Sequence, residues 1–569
     1  YTKEYVRLYT ISSEAQWKSN TYIVKEDLET EKLVQQADED FAKFTGSKYN
    51  IEQAQNFLEQ EAVLKPVQVR QLKAILYGAA NNPETVTDLV SKRIEAQNAQ
   101  NTALFGYTFK VNGTEVSTSD IDEKLISSKD LNERLEYWKA SKEIGKSLKE
   151  GLDNLKNLRN QTVQALGYDD YYSYQVSNYG MTRNEMQALN DQMIQDIWPL
   201  YRELHTYMRY KLAKKFHTDV PDMLPAHWLP NRWGQDWSSE IRVTGLDLSK
   251  VLKDKSAEWI VKEGENFYKS IGFEALPQSF YDKGSMYPLP IDANHKKNNH
   301  ASAWHMDLEN DVRCLMSVTS TPEYYETLHH ELGHIYYYLT YTNPDVPPLL
   351  RGGANRGFHE GVGSLLGLAA MQKPFLVARG LIDENTPTDE MQILLKEAMN
   401  YVVFLPFSAG VMNRFEHELY AHDLPKDKFN QKWWELKKKY QGIAPPTARG
   451  EEYCDATAKT HINNDAAQYY DYAISYILLF QLHDHIAKKI LKQDPHATNY
   501  YGSKEVGDFL KKILYPGANC DWRELLKENI GSDMSAKPML EYFEPLMDYL
   551  KEENKNREYT LPEKIEFRQ

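Results

Sequence analysis

A stripe of apolar residues spaced three and four positions apart constrains this chain more than any other feature. Met186, Leu189, Met193, Ile197, Leu200, Leu204 and Met208 fall on one face of a helix. Thr182 and Glu185 form a capping box at its start, and Pro199 predicts a kink within it. The same periodicity runs through 128–166, 387–416, 461–493 and 538–553, whereas strand-like alternation is confined to 301–306 and 312–318. The expected fold is mostly α with a small sheet.

Charge and composition exclude several classes. With 67 Lys+Arg against 82 Asp+Glu the net charge is −15, opposite to the clustered positive charge that nucleic-acid binding requires. No run of about 18 apolar residues occurs, so no membrane span is expected. The three cysteines, Cys314, Cys454 and Cys520, are too dispersed for a disulfide framework or a zinc knuckle. The first residue is Tyr1 and no charged-then-apolar leader follows, which reads as a mature or trimmed product. A secreted or periplasmic location is the expectation, with the cytoplasm as the alternative. Without repeats or Ser/Gly-rich linkers, 1–569 reads as a single two-lobed domain. Residues 1–80 form polar helices with acidic stretches such as Asp38 to Asp40, expected as a lid over a cleft or as a solvated face.

The sharpest local signal is His330-Glu331-Leu332-Gly333-His334. On a helix the two imidazoles lie four apart on one face and can reach one Zn²⁺, with Glu331 beside the water that the metal activates. Among 569 residues with 16 His, chance yields such a pattern roughly 0.03 times. Thr321-Pro322 supplies the helix start. A catalytic zinc also needs a third protein ligand. The candidate is Glu360, at the head of an apolar helix after a Gly-rich stretch, where a glutamate would otherwise simply complement the helix dipole. A His₂Glu zinc lowers the pKa of water to about 7 and polarises a carbonyl, with Glu331 as proton carrier, so peptide-bond hydrolysis follows.

Around this motif the sequence resembles the angiotensin-converting enzyme family, the peptidyl-dipeptidase A zinc peptidases. The resemblance rests on WGQDW at 233–237, HASAW at 300–304, HHELGH at 329–334, GANRGFHE at 353–360, QKWWELKKKYQGIAPP at 431–446 and AKTH at 458–461, all in the family's order. It implies a mostly helical ellipsoid of two lobes, a deep central cleft, an N-terminal helical lid and a small antiparallel sheet near the zinc. It also implies His330, His334 and Glu360 as zinc ligands and Glu331 as general base. His300 and His461 would bind substrate carbonyls, while the backbones of Ala301 and Ala303 would offer a strand edge to the peptide. Tyr472 would stabilise the oxyanion. Gln235, Lys459 and Tyr469 would clamp a free C-terminal carboxylate, a pattern associated with dipeptide release. Two extended residues span about 7 Å, so the carboxylate is gripped that far past the scissile bond. Tyr469 and Tyr472 match the family's positions if one residue is inserted after His461, and Tyr469, Tyr472 and Tyr476 are spaced to share one helical face.

Departures from the family pattern carry expectations of their own. The carboxylate four residues after the third ligand is Ser364, so a zinc histidine must be oriented by Ser364, water or another carboxylate. Family disulfide positions hold Asn299 and Ser317, and the arginine that binds chloride just before the catalytic tyrosine is Asp471. Lys437 stands where another chloride ligand is usually arginine. Chloride is therefore not expected to be required. Two other readings compete with the dipeptidyl carboxypeptidase acting on oligopeptides with a free C-terminus. One is a thimet-type oligopeptidase, disfavoured by HASAW and AKTH. The other is a catalytically silent peptide-binding relative, which has no chemical need for intact Glu331 and Tyr472.

Overall fold

A computed structural model describes residues 1–24, 27–243, 248–298 and 300–567, and Asn299 lies outside them. Helix accounts for 65% of the chain. In chain order the elements that bear on function are α1 (Thr2–Thr21), α2 (Leu28–Thr45), α3 (Lys48–Leu58), α4 (Pro66–Ala79), α5 (Leu131–Gln164) and α6 (Arg183–Phe216). They continue with β1 (Ser302–His305), β2 (Val312–Leu315), α7 (Pro322–Tyr341), α8 (Arg356–Met371), α9 (Glu390–Leu405), α10 (Asn413–Ala421) and α11 (Tyr470–His485).

Helix α6 begins as its sequence dictates. Thr182 and Glu185 form the reciprocal capping box, every residue of the apolar stripe except Leu189 is buried, and the helix continues through Pro199. The two stretches of alternation become β1 and β2, an antiparallel pair in which Ala303 faces Cys314. A second antiparallel pair, Phe109–Val111 with Thr114–Val116, turns through Asn112 and Gly113, both at positive φ as a two-residue hairpin requires. A parallel pair, Leu224–Pro225 with Ile443–Ala444, went unanticipated because two residues are too few to show alternation.

The chain divides into two compact units, each assembled from three separate stretches. The first comprises Tyr1–Thr85, Leu246–Pro387 and Ile474–Ser535. The second comprises Val86–Gly245, Thr388–Ala473 and Ala536–Gln569. Among the described residues no helix is long and apolar enough to cross a membrane.

Within the first unit, α1 is fastened to the β1–β2 hairpin. The Tyr9 hydroxyl donates to the His305 carbonyl at 2.9 Å, and Arg313 forks onto Glu14 at 3.0 and 2.5 Å. Trp17 meets Trp304 edge-on at 5.5 Å and packs with Met306 and Leu315. Helices α7 and α8 cross where both lack side chains. A Cβ on Gly333 would lie 2.9 Å from the Cα of Gly363, and one on Gly363 would lie 3.0 Å from Nε2 of His330. These two glycines let the HExxH face approach α8.

Within the second unit, the fully buried Arg134 of α5 donates to the carbonyls of His227, Trp228 and Leu229. The Trp237 N–H donates to Met399 of α9 at 2.9 Å, and the Gln441 amide donates to Gly234 at 2.8 Å. The WGQDW loop is thus held on both sides of Gln235. Two stretches read as continuous helices prove composite. Helix α9 reaches α10 through a π-helical segment, Pro406–Met412, and 461–493 breaks between Asn464 and Tyr470. At that break Ala467 adopts a left-handed φ of 59°, its N–H held by the buried Glu416 carboxylate at 2.7 Å.

Candidate active site

Helix α7 starts where Thr321 caps it and Pro322 occupies its first turn. This sets His330 and His334 on one face, with their Nε2 atoms 3.2 Å apart. Glu360, in the first turns of α8, brings Oε2 to 3.7 Å from Nε2 of His330. One ligand atom from each of the three lies within 4.8 Å of the others. Metal–nitrogen bonds of about 2.0–2.1 Å at tetrahedral angles separate two ligand nitrogens by about 3.3 Å, so the imidazole pair has the spacing a zinc ion demands.

The electrostatics agree with that donor set. Burial brings His334 down to about 4, and burial together with His334 brings His330 down to about 4. Both rings are therefore neutral lone-pair donors near pH 7. Glu331 is buried and its Oε2 has no hydrogen-bond partner. Burial, and then the Glu360 carboxylate, push its carboxyl up to about 8, an effect a bound cation opposes. Two neutral imidazoles, a carboxylate and an orphaned carboxylate oxygen beside them make a set that fits Zn²⁺.

The partner of His334 is another histidine. Nδ1 of His334 faces Nδ1 of His359 at 3.0 Å. Were Nε2 of His334 to hold a metal, its Nδ1–H would donate and His359 would accept through a neutral ring. Burial and the neighbouring histidines push the His359 pKa well down, which keeps it neutral. Tyr337 stacks on the His359 ring at 4.3 Å and fixes its plane. The sequence gives His359 no evident role, since its place beside Glu360 says nothing about which ring meets which across two helices.

His300 is exposed and bonds its own neighbour, Nδ1 to the Ala301 carbonyl at 2.8 Å. Ala301 and Ala303 are part-exposed; the Ala303 carbonyl accepts from the Tyr338 hydroxyl of α7 at 3.1 Å and retains a second lone pair.

In the second unit the clamp residues converge. Oε1 of Gln235 accepts from the Lys459 ammonium at 3.3 Å and from the Tyr469 hydroxyl at 3.1 Å. Lys459 is buried over the rings of Trp233, Phe407 and Tyr469, at 5.3, 5.6 and 5.1 Å. Burial and then Arg232 bring its pKa down to about 7. Among the described residues no carboxylate forms an ion pair with it. The π-helical segment contributes Phe407 to this wall and Ser408, whose hydroxyl donates to the Tyr469 carbonyl at 2.6 Å. Nε2 of His461 and the Tyr472 hydroxyl lie 3.4 Å apart, and the Tyr469 and Tyr472 rings are 5.0 Å apart. Tyr469 stands immediately before α11, where its carbonyl accepts from the Tyr472 N–H at 3.4 Å. Asp471 is buried and accepts from the Tyr179 hydroxyl.

A family model described as angiotensin-converting enzyme, peptidase family M2, matches residues 1–561. The chain belongs to the angiotensin-converting enzyme family. Membership sets it among zinc metallopeptidases. It is 32% identical to an angiotensin-converting enzyme of Bos taurus over 454 residues, covering 77% of this chain and 34% of the relative. The chain thus spans about a third of that relative's length. With an angiotensin-converting enzyme of Theromyzon tessulatum it shares 31% identity over 447 residues, 76% of this chain and 71% of the relative. With an angiotensin-converting enzyme-related protein of Drosophila melanogaster it shares 32% over 457 residues, again 76% and 71%.

Proposed function

We propose that this family member is a zinc-dependent dipeptidyl carboxypeptidase, removing dipeptides from oligopeptides that end in a free carboxylate. One observation carries the specificity. Lys459, a buried cation with no carboxylate partner among the described residues, shares the Gln235 oxygen with Tyr469. A substrate carboxylate supplies the missing anion. The whole of 1–569 is read as one peptidase domain, with 1–80 as its lid.

His330, His334 and Glu360 would hold the zinc. When bound, zinc acidifies water and polarises the scissile carbonyl. Glu331 takes the proton of the attacking water on its unpartnered Oε2 and delivers it to the leaving amine as the C–N bond breaks. Tyr472 donates to the developing oxyanion, its hydroxyl steadied by His461. His461 and His300 bind substrate carbonyls, and the backbones of Ala301 and Ala303 pair with the peptide without regard to its side chains. Lys459, Tyr469 and Gln235 fix the end of the chain.

The test compares matched peptides ending in a free acid and in an amide. Lys459→Ala should lower kcat/KM for the acid about 10–100-fold, since a charge-assisted hydrogen bond contributes about 1.5–3 kcal/mol, and should change the amide little. In the parent enzyme the preference for the acid should fade as pH rises through about 7, because Lys459 is charged below that value and neutral above it. Equal loss on both peptides would make the lysine structural.

A further inference from the structure

A second cluster with metal-ligand chemistry lies in the second unit, on α10. One imidazole nitrogen each from His417 and His422 and a carboxylate oxygen of Glu418 lie within 4.8 Å of one another. The two rings meet edge-on with centroids 4.7 Å apart, and Nδ1 of His422 is 3.4 Å from Oε2 of Glu418. We propose that His417, Glu418 and His422 form a peripheral binding site for a borderline divalent transition metal such as Zn²⁺, Cu²⁺ or Ni²⁺.

Several observations beyond proximity point to a ligand. His417 is 6% exposed and its Nδ1 is buried without a hydrogen-bond partner, an arrangement folded proteins seldom leave uncompensated. Burial and then His422 bring its pKa down to about 4, so the ring is a neutral donor near pH 7 without first losing a proton. His422 is the C-terminal cap of α10, where the helix dipole favours a cation. Glu418 and His422 also line a surface pocket of about 350 Å³, leaving room for water in the remaining coordination positions. Of the neighbouring cations, Lys428, which lines the same pocket, donates to the Gln431 amide oxygen at 3.3 Å, and three others are paired with carboxylates. Arg183 pairs with Asp170 at 2.7 Å, Arg414 with Asp191, and Lys432 with Glu435 at 3.7 Å. Two imidazoles and one carboxylate select borderline metals over Ca²⁺ or Mg²⁺, which prefer oxygen.

The experiment is equilibrium dialysis of the zinc-loaded enzyme against added Zn²⁺, and separately Cu²⁺, with metal content measured per chain. Two equivalents are expected in the parent. Glu418→Gln changes a part-exposed position and His422→Ala an exposed one, and each should return the content to one equivalent while peptide hydrolysis at one equivalent stays unchanged. His417→Ala should do the same if it folds. With Cu²⁺, electron paramagnetic resonance should report coordinated imidazole nitrogen that His422→Ala removes. A second equivalent that persists in Glu418→Gln and His422→Ala, or no second equivalent in the parent, overturns the proposal.

Discussion

Glu331 and His359 illustrate how much single residues decide here. A buried carboxylate with an unpartnered oxygen is costly unless something arrives to use it. Glu331→Gln keeps the shape and removes the base, so the variant should retain one zinc while kcat falls about 10²–10⁴-fold. Metal analysis and turnover on one preparation check this, and full activity at full zinc content would reassign the base. His359 makes a different demand. As the neutral acceptor for His334 it holds a ligand and not the substrate, so His359→Ala should weaken zinc affinity about 10–100-fold. Competition with a chelator reads that affinity directly, and activity restored by excess zinc would separate loss of metal from loss of catalysis. The His330–His334 pair was legible because i, i+4 is a local relation. The His334–His359 contact was not, because it depends on how closely Gly333 and Gly363 let two helices approach.

Among the elements, the start of α11 shows what periodicity conveys and what it omits. Apolar spacing located helix in 461–493, yet the chain breaks before Tyr470, where the Glu416 carboxylate captures the N–H of Ala467 from far along the sequence. No local pattern announces such a partner. Across this break Tyr469 and Tyr472 remain neighbours. Asp471 sits in the first turn of α11, buried and bonded by Tyr179, where a negative charge complements the helix dipole. Its burial rules out a merely exposed surface aspartate. We read this carboxylate as supplying the charge that chloride brings in the resembling family, adjacent to Tyr472. Exchange of chloride for acetate at constant ionic strength should then leave hydrolysis nearly unchanged. Strong saturable activation by chloride would show that an anion is still needed.

For the molecule as a whole, fold class was readable because helix caps and apolar stripes repeat along the chain, whereas the division into two units was not. Each unit draws on three stretches of sequence, and composition does not change where the chain passes from one to the next. The three cysteines are all unpaired, so the fold rests on its buried side chains and hydrogen bonds. The most direct measurement is mass spectrometry of the first products released from oligopeptides with free C-termini, using zinc-loaded enzyme. Intact C-terminal dipeptides, together with the peptide shortened by two residues, are expected. Single amino acids as the first product, or internal cleavage indifferent to a C-terminal amide, would contradict the assignment.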